Sequence, residues 1–511
     1  MSNTFWSVVF NWVAQIGGMI GVPLFIRNIG EELYGIWVIT YVIMGYSNIF
    51  DFGFTQGLQK YVAEARINKD KIQLSEVVVS GLGLLCVVGV VTGTAIMFSA
   101  GAIVRFFKMI PEHEFVATQL LQITGFLSIF TWPLRITEVI LNAAFRLKEL
   151  AFVNAIRQVV HSIVLVAFVY LGVPIIPLKW FTSIAYLLLF IPAVFLVSKY
   201  VPEIDWNLKH FRLWQIRRMS KFSFGIFYLS CLSMLSVRID NLVLGRIVGM
   251  SAVAIYSILS KPFETIRQIS SMSMQSLLPV SFNVLPKASV AEREALMINA
   301  VKYRTLILAP ITAVAIALVP KFTSLWVGDK YAEYAVWGQV FLSVHFFMGL
   351  SSMGAVARVG GAMQLSNTML TVKVLTNVVF SIILTHKIGL GGVILGTIIS
   401  NVVFGELMFG RFICKKMEVN WIRLLKNYSY PTVTCILFMC CFLALNVGHY
   451  IHSWLQLFMA AVVLYGMVIG LVAALFLREE SGDAIAVIQR RIKNFRLPYR
   501  LSPQGVEQDK P

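Results

Sequence analysis

Charged side chains are scarce in this sequence: Asp, Glu, Lys and Arg together make up 13% of its 511 residues. Soluble domains carry about 25% charged residues, so the shortage argues against a cytosolic enzyme and against a disordered chain. The six cysteines show no metal-ligand spacing, which also excludes a secreted disulfide scaffold. Hydrophobic residues account for 58% of the chain. This composition predicts a polytopic membrane protein.

The motifs of several enzyme classes are missing as well. The sequence contains no GxxxxGK[ST], so it does not encode a nucleotide-driven pump on this chain. The longest loop predicted outside the membrane, residues 101–114, is too short for the catalytic domain of a membrane glycosyltransferase. The predicted cytoplasmic loops are short and basic, without the acidic motif of a polytopic transferase. We therefore expect neither an enzyme nor a resident cofactor or metal, although an H⁺ or Na⁺ gradient is a possible driving force.

Long apolar runs recur along the whole chain. A membrane helix needs about 20 apolar residues, and the sequence predicts an all-α protein with about fourteen such helices at 5–26, 35–58, 77–100, 116–140, 152–172, 180–198, 222–245, 252–282, 304–326, 334–356, 366–385, 388–410, 431–447 and 454–477. The first run lacks a basic flank and a small-residue cleavage site, so we expect it to be a retained helix.

The net charge of +18 is distributed unevenly between the two sets of loops. With the amino terminus inside, the cytoplasmic segments hold 29 Lys and Arg residues and the outer loops hold 8. Such a bias predicts that both termini are cytoplasmic, and it explains the positive charge without nucleic acid.

A weak internal repeat relates the two halves of the chain. Residues 27–30 (RNIG) reappear as residues 246–249 (RIVG), at an offset of 219 residues. With a three-residue deletion, Arg157 and Lys373 also correspond, each in the fifth helix of its half. Six helices per half predict two parallel six-helix bundles, at 1–198 and 222–410, with a site expected between them. Residues 199–221 are predicted as a basic cytoplasmic linker and 411–477 as two additional helices. Residues 478–511 are predicted as a basic tail, which either anchors the chain on the cytoplasmic side or binds anionic lipid or a biosynthetic partner.

Ionisable residues interrupt several predicted helices. The cations are Arg135, Arg157, Arg238, Lys261, Arg267 and Lys373, and the anions are Asp51, Glu138, Asp240, Glu264 and Glu406. Each costs roughly 2.5–3.5 kcal/mol at a helix centre, so we expect them to face one another or a water-filled cavity.

Two readings of these charges remain open. Arg135 and Glu138, like Lys261 and Glu264, are three residues apart on one helical face, which suits either structural ion pairs or parts of a site. Arg157, Arg267 and Lys373 have no partner in the sequence, which favours an anionic ligand. The same helices also contain Pro133 and Pro262, which indicate either harmless kinks or broken helices at a cavity. We interpret His161 and His345 either as packing residues or as proton carriers.

At the first two helices, the sequence resembles the polysaccharide transporter family. The resemblance rests on Asn11, residues 23–30 (PLFIRNIG), 34–37 (YGIW) and 51–54 (DFGF), and in the second half on 238–241 (RIDN), Gly249, Tyr256 and the Leu-Pro at 278–279. It extends over about residues 5–410. Ala254 stands where the family often has Gly.

This family comprises the Wzx-type O-antigen and capsule flippases of the multidrug/oligosaccharidyl-lipid/polysaccharide exporter superfamily. The resemblance implies transfer of undecaprenyl-pyrophosphate-linked oligosaccharides to the outer leaflet by alternating access, through two six-helix bundles around a cationic cavity. It also suggests polymerase and chain-length proteins as partners. Candidate pyrophosphate or sugar-acid contacts are Arg157, Arg238 and Lys373, then Arg267, Lys261 and Arg135; candidate coupling residues are Glu138, Glu264, Asp51, Asp240 and Glu406.

Two related transporters remain as alternatives. An exporter of cationic drugs would use the same fold with H⁺ or Na⁺, but it predicts a cavity dominated by carboxylates. A lipid II flippase is closer in kind, and the two extra helices do not decide between it and a polysaccharide flippase.

Overall fold

The computed structural model describes residues 19–284, 289–350 and 363–476. Most of the predicted first helix, 5–26, and the whole basic tail, 478–511, lie outside the described residues. The described part is built of helices joined by short connections.

The amino-terminal half contains nine helices within the described residues. After α1, described from Met19 to Ile29, come α2 (Glu31–Tyr46), α3 (Phe54–Ile67), α4 (Lys71–Phe106), α5 (Pro111–Leu134), α6 (Ile136–Ala143), α7 (Leu147–Tyr170), α8 (Ile175–Leu188) and α9 (Ile191–Tyr200).

The carboxy-terminal half begins at α10 (Leu213–Ile247), which starts inside the segment predicted as a linker. It continues with α11 (Met250–Val284), α12 (Val290–Val327), α13 (Ala335–Leu342), α14 (Val344–Phe347), α15 (Met363–Ile388), α16 (Leu390–Ile399), a π-helical segment (Ser400–Met408) and α17 (Phe409–Met417). The last two helices are α18 (Trp421–Ala444) and α19 (Trp454–Phe476).

Eleven segments of the described chain are long and apolar enough to cross a membrane. They coincide with eleven of the fourteen predicted spans. Of the other three, 5–26 lies mostly outside the described residues, and 252–282 forms α11 but is not among the eleven. The run at 334–356 is divided between α13, α14 and residues that are not described. An all-helical polytopic membrane protein is thus confirmed.

The fourth span is broken where the sequence contains Pro133. Helix α5 ends at Leu134, Arg135 forms the junction, and α6 starts at Ile136. Proline lacks the amide hydrogen of a continuous helix and its ring crowds the preceding turn, so a break here is expected. The break thus lies between Arg135, at the junction, and Glu138, in the first turn of α6.

The two halves pack closely at the end that the charge bias predicts to be outside. A Cβ on Gly35 of α2 would lie 2.0 Å from the Met250 carbonyl oxygen, so only glycine permits this crossing. Glu31, at the start of α2, accepts hydrogen bonds from Lys330 Nζ at 2.7 Å and Tyr331 Oη at 2.8 Å. These contacts join the halves where α2 and α11 begin.

The repeat detected in the sequence has a counterpart in the backbone. Gly30 and Gly249, one offset of 219 residues apart, directly precede α2 and α11. Their φ angles are +104° and +122°, a region that favours glycine over residues with a Cβ. The second helix of each half therefore starts from the same kind of turn.

Candidate functional site

A cavity of about 480 Å³ opens among α1, α2, α5, α7 and α8, and α11 of the other half closes one side of it. One wall is a row of aromatic rings: Phe25 lies 5.4 Å from Tyr34 and 5.2 Å from Trp37, and Trp37 lies 5.9 Å from Tyr41. Polar groups come from Gln158, His161, Ser162, Ser183 and Ser257. Lys179 and Lys261 also line the cavity, and no carboxylate is among its described lining residues.

Lys179 is the most enclosed cation of this cavity, with 3% of its surface exposed. Its Nζ donates to Thr40 Oγ1 at 3.3 Å and lies 4.8 Å and 4.4 Å from the ring centroids of Trp37 and Tyr41. Thr40, Trp37 and Tyr41 share one face of α2 because they are three or four residues apart. No carboxylate of the described chain forms an ion pair with Lys179.

The sequence reasoning placed Lys179 in an outer loop, and this assignment is wrong. Helix α8 starts at Ile175, earlier than the predicted boundary at residue 180, so Lys179 belongs to its second turn. The apolar residues before it, Ile175 and Ile176, were the available signal.

A smaller cavity of about 190 Å³ adjoins the first, and Met44, Thr131 and Tyr186 line both. Its wall carries both signs of charge, from Arg135 and Glu138. The Arg135 guanidinium lies 4.3 Å from the Trp132 ring centroid. Arg135 and Glu138 do not pair with each other, so the proposed ion pair between them is not formed.

Arg157 is paired, contrary to the sequence reasoning. Its Nη1 donates to Glu138 Oε1 at 2.7 Å, and its guanidinium lies 3.7 Å from the Phe190 ring centroid. The arginine side chain is 5% exposed and the glutamate 30%. Nε and Nη2 of Arg157 have no hydrogen-bond partner. The partner was not evident from sequence because it stands 19 residues away on α6.

The three charged residues of α11 also remain unpaired with one another. Lys261 lines the large cavity, whereas Arg267 has a buried Nε without a hydrogen-bond partner. Within the described part of the chain, no ion pair is formed by Lys261, Glu264 or Arg267. The structural ion pair considered for Lys261 and Glu264 is therefore not formed.

Arg238 lies at the interface of the two halves. Its Nη1 donates to the Tyr41 carbonyl oxygen at 3.2 Å, and its guanidinium covers Gly45, where a Cβ would lie 2.2 Å from Cζ. It lines a separate space of about 420 Å³ along α10.

Asp240 stands at the centre of a buried polar cluster in the carboxy-terminal half. Its Oδ2 accepts hydrogen bonds from Tyr256 Oη at 2.7 Å and from Thr397 Oγ1 at 3.0 Å. Thr397 Oγ1 in turn accepts from Asn377 Nδ2 at 3.0 Å. Asp240 Oδ1 and Asn377 Oδ1 are buried and have no hydrogen-bond partner. Such orphaned oxygens are uncommon in a folded interior and favour an additional cation or proton.

Two glycines bring this cluster together. A Cβ on Gly396 of α16 would lie 2.6 Å from the Ser381 amide nitrogen, and one on Gly392 would lie 2.2 Å from the Leu384 carbonyl carbon. The two glycines form a GxxxG step, a spacing that permits close packing of helices in membranes. Asn377, Ser381 and Thr385 follow at intervals of four residues on the facing side of α15.

Glu406 is the second buried carboxylate of this half, with 6% exposure. It lies in the π-helical segment, and its Oε2 has no hydrogen-bond partner. Lys373 and Arg304 are its electrostatic neighbours, and the Lys373 side chain passes over Gly405. Such π-helical turns are frequent at functional sites.

Arg304 was missed as a buried charge, because it stands at the predicted boundary between a cytoplasmic loop and the span 304–326. Helix α12 already begins at Val290, so Arg304 lies in the helix interior, is 6% exposed and donates to Ser270 Oγ at 2.5 Å.

The remaining candidates occupy local structural positions. Asp51 Oδ1 accepts from the Thr55 amide at 3.1 Å and from its hydroxyl at 2.7 Å, at the start of α3. It does not line either cavity above. His345 is fully buried and its Nε2 donates to the Phe263 carbonyl oxygen at 2.8 Å. His161 faces the large cavity, 3.3 Å from Tyr41 Oη.

This arrangement of helices is shared with solved membrane transporters. A lipid II flippase MurJ in an inward closed conformation matches with a TM-score of 0.71 and 15% identity, over 93% of this chain and 99% of that chain. An inward-facing multidrug resistance MATE family transporter matches with a TM-score of 0.66 and 15% identity, over 81% and 99%. An outward-facing MATE transporter gives 0.50 and 17%, over 80% and 96%. The class is therefore a polytopic helical protein with the fold of these transporters.

The family follows from a second comparison. A family model described as polysaccharide biosynthesis protein matches residues 25–336. The chain belongs to this family, and the resemblance predicted from the sequence is confirmed. No curated protein matches the chain.

Proposed function

We propose that this protein is a flippase that moves undecaprenyl-pyrophosphate-linked oligosaccharides across the bacterial inner membrane for surface polysaccharide biosynthesis, as in O-antigen, capsule or exopolysaccharide assembly. The observation that carries the proposal is the large cavity, in which aromatic rings and two lysines face a space without a described carboxylate. An aromatic, polar and cationic lining suits a sugar head group with an anionic linkage. The prenyl tail remains in lipid.

Alternating access supplies the mechanism. The halves touch closely at the predicted outer end, where Gly35 meets Met250 and Glu31 meets Lys330. With both termini cytoplasmic, loading would occur from the inner leaflet while these contacts hold. Their separation would then expose the head group to the outer side.

The Asp240 cluster is our candidate for coupling to an H⁺ or Na⁺ gradient. A buried carboxylate with one unpartnered oxygen, beside further unpartnered oxygens, suits a proton or a small hard cation. Glu406, with Lys373 and Arg304 nearby, is a second candidate. The weaker candidates for coupling are Glu138, Glu264 and Asp51. Glu138 already forms an ion pair with Arg157, and Asp51 already accepts a hydrogen bond from Thr55.

Five cations remain proposed head-group contacts, with unequal support: Arg135, Arg157, Arg238, Arg267 and Lys373. Arg157 keeps two unpartnered nitrogens beside its ion pair, and Arg267 keeps one. Bidentate donation from a guanidinium would suit a phosphate or sugar acid that reaches them. Membrane lipids, a polymerase and chain-length proteins complete the proposed set of partners.

Complementation tests this function directly. The gene is expressed in a bacterium that lacks its own polysaccharide flippase, and surface polysaccharide is scored while membrane insertion is checked in parallel. We expect restored polysaccharide with the wild type and loss with Arg157→Ala that is inserted normally. Restoration by both would keep the function and remove Arg157 as an essential contact.

Transport of lipid II is the second candidate, favoured by the fold match to a lipid II flippase over 93% of this chain. Rescue of a strain depleted of its lipid II flippase, without restored surface polysaccharide in any glycan background, would select it. Gained resistance to cationic drugs without either rescue would instead select the drug exporter.

A further inference from the structure

The buried cations of the amino-terminal half differ in how their charge is balanced. Arg157 is neutralised by Glu138 at 2.7 Å, and Arg135 shares its cavity with that same carboxylate. Lys179 is equally buried, but its polar partner is the neutral hydroxyl of Thr40. A buried ammonium is normally paired with a carboxylate, so a neutral setting leaves its charge to be balanced from elsewhere.

The surroundings of Lys179 supply no such balance within the described chain. The residues that line the large cavity include Lys261 and His161 but neither Asp nor Glu. The rings of Trp37 and Tyr41 stabilise the ammonium by their π faces without neutralising it. Thr40 Oγ1 donates its own proton to the Trp37 carbonyl oxygen at 2.7 Å, so its lone pairs hold the ammonium in one position. The amine of Lys179 is thus held in one position and faces the open cavity, where an anionic ligand would stabilise its charged form.

We propose that Lys179 forms an anion subsite in the large cavity, which binds a carboxylate or phosphate oxygen of the transported molecule against the Trp37 and Tyr41 rings. This inference rests on the proposed function and names the group that the cavity selects. Two sources carry this chemistry: the carboxylate of an acidic sugar and the pyrophosphate of the lipid carrier. Lys261 faces the same space from α11, so an anion held there is exposed to cationic groups from both halves.

Binding to the purified protein gives the first test. Titration with a uronic-acid disaccharide, a neutral disaccharide and geranyl pyrophosphate is followed by calorimetry for the wild type and for Lys179→Met, which keeps length and removes charge. We expect at least one anionic probe to bind the wild type and to bind the variant about tenfold more weakly, with no change for the neutral sugar. Lys387→Met, which removes an exposed lysine elsewhere, is the matched control.

Transport then distinguishes the two sources. Wild type, Lys179→Met and Lys387→Met are compared in flippase-deficient strains whose repeat units do or do not contain a uronic acid. A defect of Lys179→Met confined to acidic glycans assigns the sugar carboxylate, and an equal defect with both assigns the pyrophosphate. A folded, inserted Lys179→Met that binds every probe and exports both glycans like the wild type overturns the subsite. Failure of the wild type to export any glycan, with charge-dependent probe binding intact, would overturn the proposed function and leave the anion subsite standing.

Discussion

The two halves of the molecule differ in how their carboxylates are buried and paired. In the amino-terminal half, the large cavity is lined by lysines and aromatic rings, and Glu138 in the adjoining cavity is paired with Arg157. In the carboxy-terminal half, Asp240 and Glu406 are themselves buried, and each keeps an oxygen without a hydrogen-bond partner. This difference underlies our proposal that the amino-terminal half binds an anionic head group and the carboxy-terminal half responds to a cation.

The largest effect is expected from breaking the ion pair of the amino-terminal half. Arg157→Ala leaves Glu138 without its partner in a mostly buried setting, which costs about 3–5 kcal/mol. Thermal unfolding in detergent should show a clear loss of stability. The double variant Arg157→Met with Glu138→Gln should recover most of it, because no charge is then left unpaired. A single variant as stable as the wild type would show that the pair is not structurally important.

The second largest loss of stability is expected from a glycine substitution in the carboxy-terminal half. Gly396→Ala places a Cβ 2.6 Å from the Ser381 amide nitrogen and must separate α15 from α16, at a cost of about 1–3 kcal/mol. Gly470→Ala in α19 meets no atom within 4 Å and is the matched control, expected to be neutral or slightly stabilising. Equal unfolding temperatures for the two variants would contradict the close packing.

Removal of the Asp240 charge tests the proposed response to a cation. The wild type should gain thermal stability when Na⁺ is added or pH is lowered, since a ligand that binds only the folded state stabilises it. Asp240→Asn should lose this response and transport about tenfold more slowly or worse. Asp205→Asn, in the exposed segment before α10, should retain both. An unchanged response in Asp240→Asn would place the coupling group elsewhere, with Glu406 the next to test.

The smallest effect concerns the contact between the halves at the predicted outer end. The hydrogen bond to Glu31 raises the pKa of Lys330, so the contact stabilises while the lysine is charged and is lost as the pH rises through this raised pKa. Because the lysine is 69% exposed, Lys330→Met should cost no more than about 1 kcal/mol. A cysteine introduced at this end should react slightly faster with a water-soluble thiol reagent. A large destabilisation would mean that Glu31 depends on Lys330 more than on Tyr331.

Much of the architecture was predictable because the amino-acid composition of a short stretch is enough to identify a membrane helix. Eleven described spans match predicted ones, the break at Pro133 follows from proline geometry, and the GxxxG step at Gly392 and Gly396 indicates close packing. Boundaries were less predictable, since polar residues inside a helix look like loop residues in a window of hydropathy. Lys179 and Arg304 were misplaced for that reason.

The sequence by itself determined the class of protein, its family and the set of charged residues placed within helices, because these depend on composition and on short motifs. Only the tertiary structure decided which charges meet. Arg157 pairs with Glu138 of another helix, whereas Lys179 faces aromatic rings and an uncompensated cavity. Pairing depends on how helices far apart in the chain are rotated and kinked against each other, and spacing along one helix carries no information about the face that a neighbouring helix presents.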